Sequence, residues 1–189
     1  TGPSIRYGTV LSETFRGKHS LQQADPPRTD KEQNSKIQSL MSVLEFDKNQ
    51  LGNLEYALRR EMLSTNRAGG YMSTTIVCCN TRKYHGLFVG PVREGDEHDY
   101  VMLSSLDETV VQHDHSFNLA LHRFPETYEP KGHKYLVDFT YTPLPALTYR
   151  VGGVLLRKEI LWIHAHAQLL IRYTLLEARS QTILRLRPF

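Results

Sequence analysis

Residues 80–86 read Asn-Thr-Arg-Lys-Tyr-His-Gly and bring a guanidinium, an ammonium, a phenol and an imidazole into one short stretch. Apolar runs flank it, Thr74 to Val77 before and Leu87 to Val89 after, so the polar residues fall on a loop between two strands. Loops held by rigid strands are where binding groups concentrate. Arg82, Tyr84 and His85 are therefore the first candidates for a site. Asp107 and Glu108 are the second, because two neighbouring carboxyl groups could divide acid and base roles. Neighbours on a strand point to opposite faces, however, and could not flank one bond without a bulge. The plainer reading has them bonding backbone amides or pairing with Arg82 or Lys83.

Other clusters carry less. His113-Asp114-His115 and His164-Ala165-His166 each put two imidazoles on one face if extended, which is half of a metal site and would suit a cupin-like metalloenzyme. No third ligand at matching spacing accompanies either pair, which favours surface or turn histidines. Gly152-Gly153 is a hairpin turn and not a phosphate cradle, since no helical pattern follows it. Trp162 alternates with apolar neighbours and reads as core, its indole N–H satisfied locally.

The elements that must hold these groups are consistently β beyond Tyr84. Before it, Asn66 and Gly69-Gly70 tolerate left-handed backbone and mark a tight turn. Asp47 and Gln50 form a capping-box pattern ahead of Leu51, Leu54 and Leu58, predicting a short helix to about Leu58, then a strand. Strands follow at Tyr100–Leu103, Thr109–Val111, Phe117–Leu121 and Tyr135–Thr142, with a Pro-, Gly- and charge-rich loop over about 123–134. The clearest hairpin alternates through Leu147, Tyr149 and Val151, turns at Gly152-Gly153 and returns through Val154 and Leu156. Leu169, Ile171, Tyr173 and Leu175 line one face of another strand, and Leu184 and Leu186 one face of the last. The pattern predicts an all-β fold, an antiparallel β-sandwich.

Size and charge set the frame. The 189 residues suit one domain with a tail. Residues 1–40, with Pro26-Pro27 and little apolar periodicity, read as a flexible leader, or as a vector or upstream extension ahead of an original start at Met41. Residues 41–189 form the sandwich domain, and its apolar last strand reads as a cut through something longer. The 23 Lys+Arg against 20 Asp+Glu leave +3, and the basic residues are dispersed, which argues against nucleic acid as a partner. No apolar run is long enough to span a membrane, and no secretory signal precedes the domain. The two cysteines, adjacent at 78 and 79 in an expected strand, read as buried thiols, and a cytoplasmic location is expected.

Five segments taken together resemble the N-terminal domain of bacterial and archaeal-type glycogen debranching enzymes, the amylo-α-1,6-glucosidases. They are Arg60 to Asn66 with Gly69-Gly70-Tyr71, Asn80 to Leu87, Leu103 to Thr109, Tyr149 to Val154 and Leu184 to Phe189. Met62, Arg67-Ala68 and Lys83 depart from the family's commoner residues. The resemblance implies a two-sheet, glucoamylase-like sandwich preceding a helical (α/α) barrel that lies outside this chain. It also implies hydrolysis of the α-1,6-linked glucose at trimmed branch points of glycogen, with no metal or organic cofactor. Glycoside hydrolysis needs two carboxyl groups flanking the bond, and the resemblance puts that pair in the barrel. The expected partners are that barrel and an α-glucan, glycogen or limit dextrin. Sugars are bound by aromatic faces and planar arrays of donors and acceptors, which Arg82, Tyr84 and His85 supply. Alternatively, Arg82 and Tyr84 pin the sandwich edge while His85 is a satisfied, partly buried group. A stand-alone carbohydrate-binding or scaffolding sandwich is the other function to weigh. A helical continuation with spaced Asp and Glu beyond Phe189 would decide for the enzyme.

Overall fold

The structure, a computed structural model, describes residues 44–93, 97–164 and 166–189. The leader expected over residues 1–40 lies outside them. In chain order the elements are β1 (Glu45–Asp47), α1 (Lys48–Gly52), α2 (Leu54–Leu58), β2 (Glu61–Thr65), β3 (Tyr71–Thr75), β4 (Gly86–Gly90), β5 (Tyr100–Leu103), β6 (Leu106–Gln112), β7 (His115–Asn118), β8 (His122–Arg123), β9 (Tyr128–Glu129), a 3-10 turn (Gly132–Tyr135), β10 (Leu136–Tyr141), β11 (Pro145–Val151), β12 (Val154–Trp162), β13 (Leu169–Glu177) and β14 (Ile183–Pro188).

Every strand pairing is antiparallel. β1-β10-β11-β12-β13 make one sheet, β2-β3-β4-β5 a second, β14-β6-β7 a third, and β8-β9 a small ribbon. The five-stranded sheet is one layer of the sandwich; the four- and three-stranded sheets cover its inner face. Strand β12 shows why. Val154, Leu156, Lys158, Ile160 and Trp162 are buried in strict alternation with half-exposed neighbours, the two-residue period of a strand with one face on a core. Trp162 meets Phe88 of β4 edge-on at 4.8 Å. The Tyr141 hydroxyl at the end of β10 donates to Leu63 O at 2.7 Å in β2. Two steps before Ile160 on the same face, Lys158 reaches β6 of the three-stranded sheet. The two covering sheets adjoin at Ser104, whose carbonyl accepts from Leu87 N at 3.2 Å and from Asn80 Nδ2 at 2.9 Å.

The capping box forms as the sequence predicts: Gln50 N donates to Asp47 Oδ1 at 2.8 Å and Asp47 N to Gln50 Oε1 at 3.0 Å. The helix it starts is broken, however. Asn53 closes α1, its N–H on Asn49 O, and reopens the chain as the cap of α2, its Oδ1 accepting from Tyr56 N at 3.1 Å. Asparagine competes with the helix through its own side chain, so one expected helix becomes two single turns. Met62, which shares the helical spacing, is a buried residue of β2.

The cysteines differ from expectation too. β3 ends at Thr75, and Ile76 to Cys79 turn away from the sheet. Cys78 takes φ +56°, its N–H bonds to Thr75 O at 2.8 Å, and Thr75 Oγ1 accepts from Cys79 N at 3.0 Å. A β-branched run thus ends in a side-chain-locked turn. Gly152 and Gly153 sit at φ +56° and +81° in the β11–β12 turn, the left-handed pair that a two-residue hairpin loop requires. No helix among the described residues is long and apolar enough to cross a membrane.

Candidate functional site

Three residues converge where β2 begins and the 80–86 loop ends. The Glu61 carboxylate, at the first position of β2, accepts from Arg82 Nε at 2.5 Å, and His85 Nε2 stands 3.5 Å from the same oxygen. The β2–β3 register brings this about: Glu61 lies opposite Thr75, the last residue before the chain leaves the sheet for the loop. The Asn66 turn holds that register, its buried side chain accepting from Ala68 N at 2.8 Å and Gly70 N at 2.9 Å.

The loop is tied at both ends. Asn80 Oδ1 accepts from Thr74 Oγ1 at 2.8 Å, while its amide nitrogen donates to Ser104. His85 N closes a turn onto Arg82 O at 3.2 Å. Thr81 N donates to His85 Nδ1 at 3.1 Å. An Nδ1 that accepts leaves the ring hydrogen on Nε2, aimed toward Glu61. His85 is 5% exposed, and among the described residues its Nε2 has the Glu61 carboxylate near it, at 3.5 Å and without a well-formed hydrogen bond. Burial holds its pKa below the usual histidine value, against the opposing pull of Glu61, with Arg82 adding to the depression. The imidazole is therefore neutral at pH 7. Gly86 follows because of space, not backbone hand: a Cβ there would lie 2.7 Å from Val89 Cγ2 and 3.1 Å from Val101 Cγ1.

The predicted residues do not all meet. Arg82 and His85 share Glu61. Tyr84 projects into solvent, 66% exposed, with Lys83 Nζ 5.5 Å from its ring. Asp107 and Glu108 point to opposite faces of β6, as strand neighbours must. Neither pairs with Arg82 or Lys83, the partners expected from the sequence. Asp107 takes the face away from the core but is itself buried, 8% exposed, its Oδ1 2.8 Å from His122 Nε2. Glu108 faces the core, where its Oε1 receives Lys158 Nζ at 2.6 Å and the Tyr173 hydroxyl at 2.6 Å. The loop is also linked to this strand through β8: Arg123 Nη1 donates to Thr81 O at 3.3 Å, and the adjacent His122 holds Asp107.

Sequence reasoning missed Glu61, Lys158 and His122. Glu61 stands in one of the segments that carried the resemblance, but nothing local marks a strand's first residue as the partner of a loop across the hairpin. Lys158 was legible: it occupies an inward position between Leu156 and Ile160, where a lysine needs a buried carboxylate. The indole N–H of Trp162 was expected to be satisfied locally, yet it has no partner among the described residues; the ring fills the space against Gly70 and Phe88 instead. Among the described residues no group of three or more His, Cys, Asp or Glu is placed to hold a metal ion.

What the arrangement offers is an exposed polar edge. Arg82 and Tyr84 are exposed, Glu61 is part-exposed, and the buried His85 lies beside Glu61. The Arg82 guanidinium and the Glu61 carboxylate together give planar donors and acceptors. Residues 60–189 match the family model described as glycogen debranching enzyme N terminal. No curated protein and no solved structure matches the chain.

Proposed function

The chain belongs to the glycogen debranching enzyme N-terminal family, and on that premise we propose that it is the accessory sandwich of an enzyme hydrolysing the α-1,6 branch points of glycogen in the cytoplasm. The carboxylate pair belongs to a catalytic barrel outside this chain. In this reading Arg82 and Tyr84 contact the α-glucan or the barrel mouth, and Glu61 and His85 fix the direction of Arg82. Asp107 is linked to the loop only indirectly, through His122 and Arg123 of β8.

The observation that supports the division of labour is the fate of the two adjacent carboxylates. Hydrolysis requires an acid and a base or nucleophile on either side of one bond, about 5–10 Å apart. Glu108 is buried under Lys158 and Tyr173, and Asp107 is turned to the other face of the sheet. They cannot flank one glycosidic bond. The purified chain should release no glucose from a branched limit dextrin, measured by a coupled glucose assay. Glucose release that copurifies with the chain would contradict this reading.

A further inference from the structure

Outside the loop, a different face of the sandwich is unexplained by the core. On the outward side of the β14-β6-β7 sheet, the register sets Arg185 beside Thr109 and Thr109 beside Asn118, and sets Arg187 beside Asp107. These side chains line a groove of about 340 Å³, within the size range of small-molecule sites. Neither Arg185 nor Arg187 has a hydrogen bond or ion pair among the described residues, although Asp107 lies in the neighbouring strand. Asp107 is instead committed to His122. The His122 ring meets Phe189 edge-on at 5.9 Å, and Arg187 lies 5.8 Å from the same Phe189 ring. Asn118 uses its oxygen on Ala120 N at 2.9 Å, which leaves its amide hydrogens for other partners.

We propose that this outer face is a second sugar-binding surface, taking a linear α-glucan chain across Arg185, Arg187, Asp107 and Asn118. The choice of a neutral sugar over an anion follows from the mix of groups. Two guanidiniums alone would suit phosphate, but Asp107 between them and β7 would repel a dianion. A row of hydroxyl groups answers both signs, accepting from Arg185, Arg187 and Asn118 while donating to Asp107. The Phe189 ring gives the apolar face of a sugar something to lie against. That the sugar is an α-glucan rests on the debranching reading above. The face is distinct from the 80–86 loop, so the domain would hold the polymer here while its loop addresses the branch.

The test is isothermal titration of the 189-residue chain with maltohexaose, with inorganic phosphate as the second titrant. The chain should bind maltohexaose, and Arg185→Gln with Arg187→Gln should weaken it at least about tenfold, two lost charge-assisted hydrogen bonds being worth that much or more. Asn118→Ala, on another strand, should weaken it several-fold, and it decides the matter if the double variant melts early. Arg59→Ala, in the exposed pair with Glu55 on α2, should leave this affinity unchanged. No heat with maltohexaose, equal affinity in the outer-face variants, or phosphate binding in place of the glucan would each overturn the proposal. Its failure is separable from that of the loop reading. Lost glucan binding with Arg82-sensitive hydrolysis removes only the outer face, and retained binding with Arg82-insensitive hydrolysis removes only the loop.

Discussion

Lys158 of β12 and Glu108 of β6 meet across the two layers of the sandwich, Nζ 2.6 Å from Oε1, each 1–2% exposed. Tyr173 donates to the same carboxylate oxygen. Both charges left water on folding, so each depends on the other. Glu108→Ala should destabilise the domain by about 3–5 kcal/mol, because it strands a buried ammonium. Replacing both partners, Glu108→Leu with Lys158→Met, should cost far less, since an apolar pair carries no desolvation penalty. Urea denaturation of the single and double variants measures the difference.

The same pair sets an alkaline limit. Burial, the largest single cause, pulls the Lys158 pKa down, but Glu108, Cys78 and Asp107 together outweigh it, and the net shift is upward. Tyr173 is also raised, by burial and then by Glu108. Both groups hold protons in the folded state that the unfolded chain releases first, so their stabilisation is present below the ordinary lysine and tyrosine range and lost as pH rises through it. Melting temperature should fall from about pH 10 upward, and the fall should be shallower in the double variant.

Acid should act on the loop. His85 and His133 are both depressed by burial first. In the window below the ordinary histidine pKa of about 6.5 the unfolded chain binds more protons, so stability present above that value is lost as pH falls through the folded pKa values. Protonation at His85 Nδ1 also sets a donor against Thr81 N–H, 3.1 Å away. The Thr81 amide should therefore exchange faster at pH 5 than at pH 7, after correction for intrinsic rates, and should lose that pH dependence in His85→Asn.

Two glycines separate crowding from backbone freedom. Gly86→Ala should cost about 1–3 kcal/mol, because its Cβ meets Val89 and Val101. Gly52→Ala, at the end of α1 with nothing within 4 Å, should stabilise by about 0.4–1 kcal/mol through the unfolded state. Thermal melts of the two variants give opposite signs.

Periodicity made most of the scaffold legible. Alternation placed β11 to β14, the glycine pair placed the hairpin turn, and Asp47 with Gln50 placed the helix start. What it missed was made by partners distant in sequence. Asn53 breaks a helix that Leu51, Leu54 and Leu58 would otherwise continue, and Thr75 ends a strand by bonding Cys79. Of the site, the loop residues announced themselves by crowding, whereas Glu61 is joined to Arg82 only through strand register. Asp107 and Glu108 attracted attention as neighbours, and strand geometry then sent them to different partners.

Arg82 is an exposed cation of the loop. Its ion pair with Glu61 is largely solvent-exposed, and such pairs contribute about 0–1 kcal/mol, so its position is poorly explained by stability. Arg82→Ala should be made in this chain for thermal melting and in the full-length enzyme for branch-point hydrolysis. The predicted result is a nearly unchanged melting temperature with hydrolysis reduced about tenfold or more, the loss of one guanidinium contact to a polar partner. Unchanged hydrolysis with a much lowered melting temperature would make Arg82 a structural pin and contradict the functional reading of the loop.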